Sequence, residues 1–151
     1  MRRTTVSAAA VLVVLLAAGC SSGDGDGKPA ASSAAGGKLS AKWTPKLDAA
    51  ADGNKAVCNQ VGDKACAEHL TDIALVVSDL EQAVDEAGGR AEYPQTVAEI
   101  GKVNDAVDAY SEHECLNDEN AGMAGSPCPD DAQTILTGGK TLALALQADE
   151  G

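Results

Sequence analysis

Leu70, Ile73, Val77, Leu80, Val84 and Ala87 recur every three or four residues, the interval that lines side chains along one face of an α-helix. Val76 and Ala83 widen that stripe, as expected of a helix with more than one neighbour, and Gly88-Gly89 ends it. Val97, Ile100, Val103, Val107 and Tyr110 make a second stripe. Pro94 suits its first turn, and Thr96 with Glu99 matches a capping box. Pro129-Asp130-Asp131 suits the start of a further helix, with Ala132, Ile135, Gly139, Leu142 and Leu146 on one face. An earlier helix starts at Thr44-Pro45 and carries Trp43, Leu47, Ala50, Val57 and Val61. Asp52-Gly53-Asn54 is a turn signal that breaks it in two. No segment alternates at the period of two that a strand requires. The fold class expected is all-α: a small, disulfide-stapled, up-down bundle of about four helices over residues 43–151.

The first 20 residues, MRRTTVSAAAVLVVLLAAGC, follow other rules. Arg2 and Arg3 precede an apolar run, Ala8 to Leu16, far shorter than the roughly 20 residues that cross a bilayer, so the segment reads as a cleavable export signal. Leu16-Ala17-Ala18-Gly19-Cys20 resembles the lipobox of bacterial lipoproteins, with Ala17 where Leu is commonest. The resemblance implies cleavage after residue 19 and a lipid on Cys20, which holds the protein on the extracytoplasmic face of the cell membrane. With the Gly/Ser-rich stretch that follows, the first 40 or so residues resemble lipoproteins of high-GC actinomycetes. An ordinary secretory signal cut near Ala18 is the alternative, and it leaves Cys20 a thiol.

Residues 21–42 carry no apolar periodicity and read as a flexible tether of about 25 Å mean reach. Lys plus Arg number 11 against 23 Asp plus Glu, a net charge of -12, so the domain is repelled by anionic lipid and by nucleic acid. Trp43, Tyr93 and Tyr110 are the only aromatics, too few to wall a sugar cleft or to stack bases.

Five cysteines are present. With Cys20 lipidated, Cys58, Cys66, Cys115 and Cys128 remain, and an even number outside the cytoplasm favours disulfides. They allow three pairings. Cys58–Cys66 with Cys115–Cys128 is favoured, since each pair brackets a short polar segment between helical patterns. In an up-down bundle those two segments share one end, and the tether and Gly88-Gly89 take the other. The disulfide end then faces away from the membrane.

Few residues suggest chemistry. His69 and His113 lie near the cysteines, and reduced thiolates with imidazoles would suit zinc or copper, but neither spacing is that of a zinc knuckle. Asn117, Asp118, Glu119 and Asn120 offer oxygens for a divalent ion, contiguous rather than alternating and with no closing Glu. Thr137-Gly138-Gly139-Lys140-Thr141 resembles the end of a phosphate loop, but Thr134 stands where its first glycine belongs. Close helix packing is the better reading of the glycines. Met123 reads as filler, and Leu75 falls on a polar face. No Gly-x-Ser-x-Gly elbow or His-Glu-x-x-His helix occurs. No catalytic residue, cofactor or metal site is therefore expected. The expectation is a non-enzymatic interaction module of the cell envelope with a protein partner, the alternative a lipoprotein that binds a metal or a small ligand.

Overall fold

A computed structural model describes residues 38–53 and 55–151. The signal segment 1–19, Cys20 and the tether as far as residue 37 lie outside the described residues. Four α-helices follow one another: α1 (Leu39–Asp52), α2 (Lys64–Glu86), α3 (Pro94–Glu112) and α4 (Cys128–Asp149), with 3₁₀ turns at Lys55–Asn59 and Gly89–Ala91. The described residues contain no strand, and none of their helices is long and apolar enough to cross a membrane.

The apolar stripes become the core. Leu70, Ile73, Val77, Leu80 and Val84 of α2 face Trp43 and Leu47 of α1, Ile100 and Val103 of α3, and Ile135, Leu142 and Leu146 of α4 in one buried cluster. Ala87 is exposed because α2 stops at Glu86 and Ala87 is its C-cap. The break at Asp52-Gly53-Asn54 is where the sequence places it: α1 ends at Asp52 and a separate 3₁₀ turn carries Val57.

Glycine sets how near the helices come. A Cβ on Gly139 would lie 2.8 Å from the Leu47 carbonyl oxygen and 2.8 Å from the Ala51 Cβ. One on Gly138 would lie 2.5 Å from a methyl of Val103. Both sit in the middle of α4, so Gly138-Gly139-Lys140-Thr141 is helix and not a phosphate loop, and α1 and α3 press against bare backbone.

Two expectations about helix starts are corrected. Thr96 and Glu99 form no capping box: Thr96 lies inside the first turn of α3, its hydroxyl bonds Asp149, and Glu99 pairs with Lys102. The helical domain starts at Leu39 rather than Trp43, inside the stretch 21–42 read as tether. Glu150 accounts for the difference. Its carboxylate accepts hydrogen bonds from the Ser40 amide and hydroxyl, and its carbonyl accepts one from Lys38 Nζ. Leu39 packs against the core.

The helices therefore alternate in direction. One pole gathers the end of α4, the starts of α1 and α3, and the Gly88-Gly89 turn. The other gathers the two cysteine-bearing loops.

Candidate functional site

The cysteine pole is built from two loops that fasten each other. Cys58 bonds Cys66 and Cys115 bonds Cys128, the pairing that sequence spacing favours, with Cα atoms 4.5 and 5.7 Å apart. The first bridge joins the 3₁₀ turn to α2, and the second joins the α3–α4 loop to the first residue of α4. Between the loops, the Tyr110 hydroxyl donates to the Val61 carbonyl at 2.6 Å and the Asn117 amide donates to the Gly62 carbonyl at 2.8 Å. A Cβ on Gly62 would lie 2.4 Å from the Asp118 carbonyl oxygen, so the contact requires glycine.

At the end of α3 the chain turns through a Schellman motif. The Glu114 amide donates to the Ser111 carbonyl and the Cys115 amide to the Tyr110 carbonyl. The motif needs a left-handed residue at Glu114, which has φ 52° where glycine is the unstrained choice. Buried Cys115 follows it directly and carries the chain into its disulfide.

Beside this turn a cleft of about 390 Å³ opens between α2 and α3. Leu70 and Ala74 of α2, Val107 of α3 and Ile135 of α4 line it with apolar surface, and Leu116 and Glu114 stand at the loop end. Small residues make the space: Ala67, Thr71 and Ala74 on α2 face Val107 and Ser111 on α3. The rim hydroxyls turn back onto their own helices, Thr71 donating to the Ala67 carbonyl at 2.8 Å and Ser111 to the Val107 carbonyl at 3.1 Å. Burial holds the Tyr110 hydroxyl above its ordinary pKa of 10.0, which keeps it a neutral donor.

The two histidines have different surroundings. His113 Nδ1 lies 2.8 Å from an Asp131 carboxylate oxygen, tying the end of α3 to the start of α4. His69 packs beside Gly53 at the end of α1, and its Nε2 is buried without a hydrogen-bond partner among the described residues. Among the described residues, His113, Cys115 and Asp131 bring three donor atoms within 4.8 Å of one another, and His69 is not of their number. With its sulfur bonded to Cys128, Cys115 offers no thiolate, so this set lacks the soft ligand that zinc or copper would favour. In the acidic loop, Asp118 Oδ1 accepts from the Asn120 amide at 2.9 Å and closes a local turn. Met123 is exposed there, not packed as filler, and Leu75 is exposed on α2.

Sequence reasoning placed the cysteine loops at one end but missed the cleft. The available signal was the run of small residues at 67, 71 and 74 beside a stripe of large ones. Comparison with protein families, curated proteins and solved structures finds no match to this chain.

Proposed function

We propose that this chain is a lipid-anchored protein of the cell envelope that presents the disulfide pole of its bundle as a binding surface, not as a centre of catalysis. The observation that carries the reading is the cysteine arithmetic. Four of the five cysteines pair with one another, and the fifth, Cys20, is the residue that closes the lipobox-like stretch. Disulfides of this kind belong to an oxidising compartment, which agrees with export. The chain enters α1 at the pole opposite the two bridges, so a tether arriving there leaves the braced loops as the end open to a partner.

The leader's resemblance to actinomycete lipoproteins sets the experiment. The chain expressed in an actinomycete host incorporates labelled palmitate, and globomycin or Cys20→Ala abolishes the label. Co-purification from solubilised membranes, with the Cys20→Ala chain as control, then identifies the partner. A wild-type product that stays unlabelled and is released into the medium overturns the anchor. A purification that returns the same proteins as its control overturns the interaction module.

The second reading, a small-ligand-binding lipoprotein, is favoured by the cleft between α2 and α3, whose volume of about 390 Å³ lies within the range of ligand pockets.

A further inference from the structure

We propose that the cleft between α2 and α3 binds a small hydrophobic cation: an alkyl- or arylammonium whose apolar body enters the cleft and whose charged nitrogen meets Glu114. The inference concerns the folded domain alone and does not depend on the lipid anchor.

The lining restricts what a ligand can find in the cleft. Its apolar residues, among them Leu70, Ala74, Val107 and Ile135, make no demand except burial. All three hydroxyl donors of the lining are already committed inside the protein, Thr71 to Ala67, Ser111 to Val107 and Tyr110 to Val61. What the side chains keep for a ligand is acceptor capacity: hydroxyl lone pairs and the carboxylate of Glu114. An anionic ligand would meet no side-chain donor there. A ligand rich in donors would be matched.

Charge points the same way. Among the described residues, Glu114 is the only acidic side chain of the lining, no lysine or arginine lines the cleft, and no cation pairs with Glu114. The chain's net charge of -12 raises the local concentration of cations around such a mouth. Tyr110, one turn before Glu114, adds an aromatic ring to the lining, a partner that ammonium groups favour. The backbone supplies an independent indication. Glu114 occupies a left-handed position where glycine would be unstrained, and a strained residue that carries the only charge of a cleft points to a role in binding.

A volume of about 390 Å³ is room enough for the body of a single aliphatic or aromatic amine.

The test uses the full chain in phosphatidylcholine nanodiscs, with empty nanodiscs subtracted, titrated with hexylammonium, hexanol and hexanoate by ligand-observed NMR. Hexylammonium should bind about tenfold more tightly than hexanoate, as expected for one charge-assisted hydrogen bond in a partly enclosed site. Glu114→Gln should bring hexylammonium down to the affinity of hexanol. Ala74→Phe, or Ser111→Phe from the opposite wall, should fill the cleft and abolish binding of both, with the thermal transition showing that the variant is folded. Equal or tighter binding of hexanoate, an unchanged preference in Glu114→Gln, binding that survives both cleft-filling variants, or no binding of hexylammonium would each overturn the proposal.

Discussion

The carboxylate of Asp149, the last residue of α4, caps the start of α3: it accepts from the Thr96 amide at 2.8 Å, the Thr96 hydroxyl at 2.8 Å and the Gln95 amide at 3.2 Å. The first amides of a helix have no partner within it, and here a residue 53 positions away supplies one. Glu150 does the same for Ser40 at the start of α1. Two adjacent acidic residues thus hold two helix starts, where negative charge also meets the positive ends of the helix dipoles.

Removing that cap should be measurable. Asp149→Ala should lower unfolding stability by about 1–2 kcal/mol, the range for loss of a helix cap, read as a shift in urea midpoint at neutral pH. An unchanged midpoint would show that water replaces the carboxylate without loss.

The same residue gives the pH dependence a sign. Burial pushes the Asp149 carboxyl upward, but the hydrogen bonds from Thr96 and Gln95 together outweigh it and hold the group below its ordinary value of 3.8. A depressed carboxyl contributes stability above the unfolded-state value and loses it as pH falls through the folded one. The advantage of wild type over Asp149→Asn should therefore be full at neutral pH and disappear as acid carries the solution below 3.8, as followed by circular dichroism.

Two glycines of the helices should respond in opposite directions to alanine. Gly101 in α3 has nothing within 4 Å of its missing Cβ, so Gly101→Ala should stabilise by about 0.5–1 kcal/mol through helix propensity. Gly139→Ala gains the same propensity but forces a Cβ to 2.8 Å from the Leu47 carbonyl, and it should destabilise. Thermal midpoints of the pair decide whether close approach, rather than composition, explains the glycine in α4.

Each disulfide closes a short loop, with sequence separations of 8 and 13. Loop-closure entropy gives about 2.5 kcal/mol for the first and about 3 kcal/mol for the second. Replacing both cysteines of a pair by alanine should lower the thermal midpoint in that order, with Cys115/Cys128 the larger loss.

Tyr110→Phe removes the donor to the Val61 carbonyl and should destabilise by about 1 kcal/mol. Burial raises the Tyr110 hydroxyl above 10.0, so its contribution is present below that pH and lost as pH rises beyond it. Wild type should weaken on the alkaline side, where the Phe variant lacks that loss, and tyrosinate absorbance tracks the transition.

The helices were legible because burial imposes a spacing that the chain itself displays: Leu70 to Val84, Ile100 to Tyr110 and Ile135 to Leu146 each lie in the core. The cysteine pairing was legible because both bridges span helix junctions that the same spacing reveals. The caps were not. Thr96 with Glu99 carries a local capping signal, yet the oxygen that binds Thr96 belongs to Asp149, and a partner so distant leaves no pattern in the sequence. The cleft was hidden for a related reason, since it depends on two helices placing small residues opposite each other, which neither declares alone. Glu114 was unreadable as a left-handed residue because nothing in glutamate's preferences announces that conformation.

Helix α4 is secured at its first residue by sulfur and at its last by a carboxylate, with Gly139 pressed against α1 between them. Reductant and acid therefore act on opposite tips of one strut. Either agent loosens its own tip, and between the tips the buried face of the strut, Ile135, Leu142 and Leu146, keeps its place in the core.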